Sequence, residues 1–218
     1  MQKLFNITNE TDHIVKIELA NGKKHNPLSL ELIKELTNSL IQISSQKKVK
    51  VLIISSEGPG FSAGHDLDEL RKNRNNKKFF NELFNECSNL MQTIMNLPQP
   101  VIAEVCGIAA AAGCQLVASC DLAVASEQAS FMTPGVNIGL FCSTPMVAVS
   151  RNLSRKKIME MLLTGEKLSA KDAVDFGLIN HCVPPYQLHQ KTLSIANIIA
   201  SKPLSTVKIG KEAFYKQV

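Results

Sequence analysis

The sequence predicts an α/β domain built on parallel strands. Apolar, β-branched runs at 51–55 (VLIIS) and 101–105 (VIAEV) are each followed by a glycine-bearing run, FSAGHD at 61–66 and AAAGCQLVASCD at 110–121, that leads into a helical pattern. A further apolar run, DLAVAS at 121–126, follows the second of these helices directly. Strands that alternate with helices in this way pair in parallel through right-handed crossovers. At 218 residues, 44% hydrophobic and 20% charged, the chain is sized to bury one core as one domain.

LFNIT at 4–8 and the partly alternating HIVKIELA at 13–20 predict an antiparallel start, and Asn21-Gly22 signals a turn. From 29 to 46 the apolar residues Leu32, Ile33, Leu36, Leu40 and Ile43 fall at helical spacing, with Ser29 as N-cap and Glu31 in the first turn. The VLIIS strand and the first glycine run come next. They precede a short helix near 67–72 and a longer one at 79–96, which Leu97-Pro98-Gln99-Pro100 closes. The VIAEV strand, the second glycine run and a small-residue helix to Ser119 repeat the pattern. Beyond Pro145 the chain turns helical. Ser169-Ala170-Lys171-Asp172 opens one helix like a capping box, Gly177 stops it, and NHCV at 180–183 is a last short strand.

Net charge is +5, with basic residues gathered at Lys23 and Lys24, at Lys47, Lys48 and Lys50, and in RKNRNNKK at 71–78. Such runs form solvated faces or a docking surface for a polyanion. Nucleic acid is disfavoured, since no aromatic residues are interleaved and no recognition motif is present. A nucleotide-bearing ligand with several phosphates fits better. No run approaches the roughly 18–20 apolar residues that cross a bilayer, so no membrane partner is expected. The first residues, MQKLFNITNETDH, lack a long apolar stretch and carry Glu10 and Asp12, which argues against a secretory or transit segment. Six cysteines (Cys87, Cys106, Cys114, Cys120, Cys142 and Cys182) form no Cys-x-x-Cys and read as reduced, mostly buried thiols. A cytoplasmic location is the expectation.

The glycine runs also carry the chemistry. The first N–H groups of a helix lack intrahelical partners, and the positive end of the helix dipole lies behind them. Two such turns facing each other offer two backbone donors to a carbonyl oxygen gaining negative charge, an oxyanion hole suited to a thioester. A dinucleotide site is the competing reading, because Gly58-Pro59-Gly60-Phe61-Ser62-Ala63 matches G-x-G-x-x-[GA]. Against it, Pro59 removes an N–H and Ser62-Ala63-Gly64 breaks the helix that would face the pyrophosphate. RKNRNNKK also stands where an acidic residue should close the second strand. No metal and no permanently bound cofactor are expected.

The segments FSAGHDLDEL, PVIAEVCGIAAAAGCQLVASCDLAVAS, FMTPGVNIGL and MLLTGEKLSAKDAVDFGLINHCV together resemble the enoyl-CoA hydratase/isomerase (crotonase) family, in order and spacing over most of the chain. The resemblance is strongest to the mitochondrial branch named for its enoyl-CoA hydratase domain. It implies a crotonase-like (ClpP/crotonase) fold of repeated ββα units followed by C-terminal helices. Residues 1–183 would form the core with the acyl-CoA site, and 184–218 the start of a helical region that looks truncated against the family. It implies an acyl-CoA thioester as ligand, coenzyme A entering as part of the substrate, and a homotrimer or dimer of trimers. Carried over by position, the oxyanion donors are the N–H groups of His65 and Ala112. Ala63 lies near the adenine, Lys23 or Lys24 meets the phosphates, and Asp66, Leu67 and Gly135 lie along the ligand.

The departures are chemical. Hydratases of the family carry one glutamate two residues after the second turn's glycine, where this chain has Gln115, and another after a proline, where Gly135 follows Pro134. A glutamine orients a water but cannot take its proton, so the two-carboxylate hydration mechanism does not fit. The other candidates are the His65 ring for proton transfer, Cys142 as a nucleophile beside Ser143 and Thr144, and Asp121 in a structural role; Asp66 reads as a helix cap. Two function classes follow. One is a lyase or isomerase of fatty-acid metabolism that stabilises a thioester enolate with His65 and Ala112, Gln115 placing water or substrate. The other is a binding or regulatory protein that keeps the cradle without turnover.

Overall fold

The computed structural model describes residues 3–217; Met1, Gln2 and Val218, the ends of the two stretches read above, lie outside them. Among the described residues ten strands form two sheets. The larger sheet has the order β1-β2-β3-β5-β7-β10, with β1 (Phe5–Thr11), β2 (Ile14–Leu19), β3 (Val51–Ser56), β5 (Val101–Val105), β7 (Leu122–Ser126) and β10 (His181–Val183). Only the first pair is antiparallel. The smaller sheet has the order β4-β6-β8-β9, with β4 (Gly60–Ser62), β6 (Ile108–Ala110), β8 (Ser130–Met132) and β9 (Leu168–Ser169), the first three parallel. The sequence reading named no strand of this sheet, because segments of two or three residues carry no periodicity.

Each repeat sends its first strand into the large sheet and its second into the small one before a helix follows. β3 and β4 lead to α2 (Leu67–Lys72) and α3 (Lys77–Asn96), and β5 and β6 lead to α4 (Ala112–Ser119). β3 and β5 are buried almost throughout, and mostly apolar, because both faces of their sheet are covered. On one face lie α1 (Leu30–Ser44), α3 and α4, around Leu36, Leu40, Leu83, Leu90 and Leu116. On the other, Ile14, Ile53, Ile102 and Val124 pack against α8 (Leu188–Ala200). The predicted caps form: Ser29 Oγ accepts from Leu32 N, and Ser169 Oγ accepts from Asp172 N. The helices α5 (Ser143–Val149), α6 (Arg155–Thr164) and α7 (Ala170–Asp175) follow the third repeat, and Gly177 just past α7 takes φ +88°.

The last helix, α9 (Leu204–Gln217), has no buried residue among those described, and a polar anchor holds it. Lys211 Nζ reaches Asp121 Oδ2 at 2.7 Å and the carbonyls of Ile94 and Gln99 at 3.0 Å each. Asp121 Oδ2 also accepts from Val101 N at 2.7 Å. Burial shifts both groups toward neutrality, the carboxyl upward and the ammonium downward. Lys211→Ala therefore leaves a buried carboxylate uncompensated and should cost about 3–5 kcal/mol. The measurement is the denaturation midpoint, together with loss of amide protection along α9.

Candidate functional site

The carboxyl ends of β4, β6 and β8 deliver three segments to one place: Ser62–His65, Ala110–Ala112 and Met132–Gly135. The first two touch, and glycine makes the contact possible. Gly64 has φ +86°, and a Cβ on it would lie 2.9 Å from the Ala110 carbonyl oxygen and 3.2 Å from Ala112 N. A Cβ on Gly113 would meet the Ser62 carbonyl oxygen at 2.4 Å. Each turn therefore occupies the space a side chain would need on the other.

Ala111 precedes α4 at φ 48°, ψ −117°, and its N–H reaches the Met132 carbonyl at 2.9 Å. As N-cap it offers no side-chain acceptor, so the first N–H groups of α4 stay free. Neither the His65 N–H nor the Ala112 N–H finds an acceptor among the described residues. Two unpaired donors thus stand on two interlocked turns, with the α4 dipole behind one of them.

The first turn is braced by a residue the sequence reading passed over. Asn26 is fully buried at φ 50°. Its amide donates to the carbonyls of Glu57 and Gly60, its Oδ1 accepts from Asn21 N, and its carbonyl accepts from Ser62 Oγ. Alongside, Ala63 N donates to His25 O and Leu28 N to Gly64 O, both at 2.8 Å. The dipeptide Asn26-Pro27 was the available signal, as a turn initiator. This bracing brings exposed Lys23, Lys24 and Ala63 to one rim, where Lys24 Nζ lies 4.0 Å from Asp68 Oδ2 on α2. Leu67 is exposed there too, whereas the Asp66 carboxylate caps α2 by accepting from Asp68 N and Glu69 N.

The His65 ring sits edge-on to Phe84 with centroids 5.5 Å apart, and its Nδ1 lies 3.4 Å from the Leu28 carbonyl. Burial lowers its pKa, so the ring is neutral. Gln115 is buried within α4, its Oε1 has no partner, and it borders a groove of about 490 Å³ between α3, α4, α5 and α9. Gly135 is buried in the third segment. Its backbone is outside the left-handed region, and the obstacle to a side chain is spatial. A Cβ there would meet the Leu140 carbonyl oxygen at 2.8 Å and Cys142 Sγ at 2.9 Å. Cys142 is buried with its pKa raised by desolvation, and Cys114 is pushed up to about 12 for the same reason, so both are protonated thiols rather than nucleophiles. Among the described residues no group of three or more His, Cys, Asp or Glu could hold a metal ion, and no helix is long and apolar enough to cross a membrane.

The model of the enoyl-CoA hydratase/isomerase family matches residues 9–218. The chain belongs to that family. Within it, the chain is 51% identical over 209 residues to human "Enoyl-CoA hydratase domain-containing protein 3, mitochondrial", covering 96% of this chain and 69% of that protein. The Xenopus laevis protein of the same name is 48% identical over 205 residues, covering 94% and 69%. A crystal structure of the human protein superposes with TM-score 0.94 at 49% identity, covering 99% of this chain and 84% of that one. A Mycobacterium smegmatis enoyl-CoA hydratase superposes with TM-score 0.96 at 41% identity, covering 99% and 83%. The fold is thus the crotonase type, and the resemblance to the domain-containing branch holds. The cytoplasmic expectation is corrected, since these relatives are named mitochondrial. Buried reduced thiols do not tell one reducing compartment from another, so composition lacked the signal.

Two outcomes follow from this family site. Gly64→Ala places a side chain at φ +86° against Ala110, should cost about 1–3 kcal/mol, and should push the turns apart; the melting temperature reads it. For His65, the unfolded chain binds a proton near pH 6.5 and the folded chain only below that, because burial lowers its pKa. Its stabilising contribution is full above about 6.5 and falls as pH drops through the folded value. His65→Phe should flatten that acid limb in urea titrations at a series of pH values.

Proposed function

We propose that the chain binds an acyl-CoA thioester in the cradle formed by the two glycine turns. The observation that carries this reading is the pair of unpaired N–H groups, His65 and Ala112, on turns locked by Gly64 and Gly113. They would take the thioester oxygen, and the α4 dipole would stabilise charge developing on it. Lys23 and Lys24, exposed on the rim beside Ala63, would meet the phosphates of the coenzyme A moiety, and the groove behind Gln115 would receive the acyl chain. The relatives named for enoyl-CoA hydratase support the ligand class. A trimer belongs to the same reading. Exposed Ile138, Leu140 and Phe141, on the loop after Gly135, offer an apolar surface for it.

Within this reading the chain polarises a thioester but does not hydrate an enoyl group through a carboxylate pair. Gln115 and Gly135 cannot exchange a proton near neutral pH, and the nearby Asp66 carboxylate is committed to a helix cap. Holding the thioester without turnover is therefore the reading the geometry supports best. Turnover as a lyase or isomerase is the second, and one observation favours it: the neutral His65 ring carries a buried, unpartnered Nε2 able to accept a proton.

The cradle is tested without altering the protein. Butyryl-CoA should bind roughly tenfold tighter than S-butyl-CoA, the thioether lacking only the carbonyl oxygen. Affinity for both should fall as salt rises, since exposed charge pairs are screened. Equal affinities in calorimetry would remove the two N–H groups from the account. Added crotonyl-CoA should keep its enoyl-thioester absorbance over a time in which a two-carboxylate hydratase consumes it; rapid loss would reveal an unrecognised acid/base group.

A further inference from the structure

One basic run, RKNRNNKK at 71–78, has no part in the cradle. It forms the corner between α2 and α3, where Arg71, Lys72, Arg74, Lys77 and Lys78 are all exposed. The corner is held by its own asparagines. Asn73 Nδ2 donates to the Glu69 carbonyl at 3.0 Å, Asn76 N donates to the Asn73 carbonyl at 2.8 Å, and Asn76 Oδ1 accepts from Phe79 N at 3.1 Å. The neighbouring acids are already engaged. The Asp66 carboxylate caps α2, Glu69 Oε2 accepts from Leu30 N, Asp68 pairs with Arg71 and Lys24, and Glu82 pairs with Lys34. Lys72, Arg74 and Lys77 form no ion pair among the described residues. Apolar groups flank these cations. Lys77, Phe80 and Phe84 fall on one face of α3, and Leu67 opens α2. Leu67 is 46% exposed and Phe84 39%, with Phe80 half-buried between the charges and Phe84.

Cations and apolar groups on one corner match a bilayer with anionic headgroups, where the cations meet phosphates and the apolar groups enter among the acyl chains. We infer that the α2–α3 corner docks on an anionic lipid surface, with Arg74 and Lys77 on the headgroups and Phe80 and Phe84 dipping below them. Neither signal suffices alone, and the two together give reversible peripheral binding. The expectation of no membrane partner rested on the length needed to cross a bilayer, which a surface contact does not require. Nucleic acid suits the corner less well, because bases stack on free ring faces and these rings are packed on one another. Phe80 lies 5.8 Å from Phe79, edge-on, and 6.1 Å from Phe84, which meets the His65 ring edge-on at 5.5 Å. The inference stands apart from the acyl-thioester reading, since it needs no ligand in the cradle.

The test is co-sedimentation of the full chain with lipid vesicles at low salt. The chain should bind vesicles of equal parts phosphatidylglycerol and phosphatidylcholine, and not phosphatidylcholine alone. Arg74→Ala with Lys77→Ala should weaken that binding roughly thirtyfold, each cation near such a surface being worth roughly fivefold. Lys47→Ala with Lys48→Ala removes the same charge from another exposed run and should change it by less than about twofold. The chain has no tryptophan, so Phe80→Trp adds a single reporter, whose emission should move to shorter wavelength on the anionic vesicles. No binding to the anionic vesicles, equal binding to both kinds, equal loss in the two double variants, or an unshifted emission in the bound state overturns the inference. So does release of the bound protein by free coenzyme A, which would assign these cations to that ligand's phosphates, or tighter binding of a single-stranded oligonucleotide at the same salt. Should Phe80→Trp fail to fold, the double variants decide.

Discussion

The site depends on one steric constraint: two backbone turns approach closer than any side chain allows. Gly113 seats the start of α4 on the Ser62 carbonyl, and Gly64 lets the first turn pass beneath Ala110 and Ala112. Everything else at the site is arranged to make that contact affordable. The first turn is anchored by Asn26, whose side chain satisfies three backbone groups from inside the protein. The second is anchored by the Ala111 N–H on β8, at a non-glycine residue held at positive φ. Strained backbone of this kind persists only when its surroundings over-determine it, and the parallel pairing of β4, β6 and β8 supplies that determination.

The electrostatics follow from the same packing. Burial rather than ion pairing sets the state of three titratable side chains at the cradle. The His65 ring is held neutral, and the Cys114 and Cys142 thiols are held protonated. The region therefore presents fixed dipoles and neutral side chains rather than charges. Peptide N–H groups in such a setting interact more strongly with a polarised oxygen than they would in water, because less solvent competes. Charged groups stand on the rim at Lys23 and Lys24, and in the Lys211–Asp121 pair that fastens α9 beside the groove.

What the sequence revealed tracks what side chains alone can encode. The helix at Leu30–Ser44, its Ser29 cap, the strands at Val51–Ser56 and Val101–Val105, and the capping box at Ser169 were readable, since periodicity and capping chemistry are local. The glycine turns were legible as turns, because glycine between a strand and a helical pattern is a local feature as well. The small sheet was not, since its strands are fixed by pairing between segments about 22 to 48 residues apart, as Gly60 with Ile108 and Ile108 with Ser130. Asn26 escaped notice for a related reason: its role lies in contacts up to 36 residues away. Gly135 is a further case. Its φ is ordinary, and what it spares is space, a quantity no local pattern carries.

That last point separates what the backbone builds at the site from what single side chains supply. The pair of unpaired N–H groups is a property of backbone and two glycines, braced from several strands, so losing it means disturbing the packing of the fold. Proton transfer rests on single side chains, which are replaced without touching the backbone. At position 115 a glutamate would keep the size of the glutamine. At position 135 the demand is greater, because the Leu140 carbonyl and the Cys142 thiol occupy the volume a side chain would need. Placing a carboxylate at that wall therefore requires rebuilding the loop from Leu140 to Cys142 rather than one substitution.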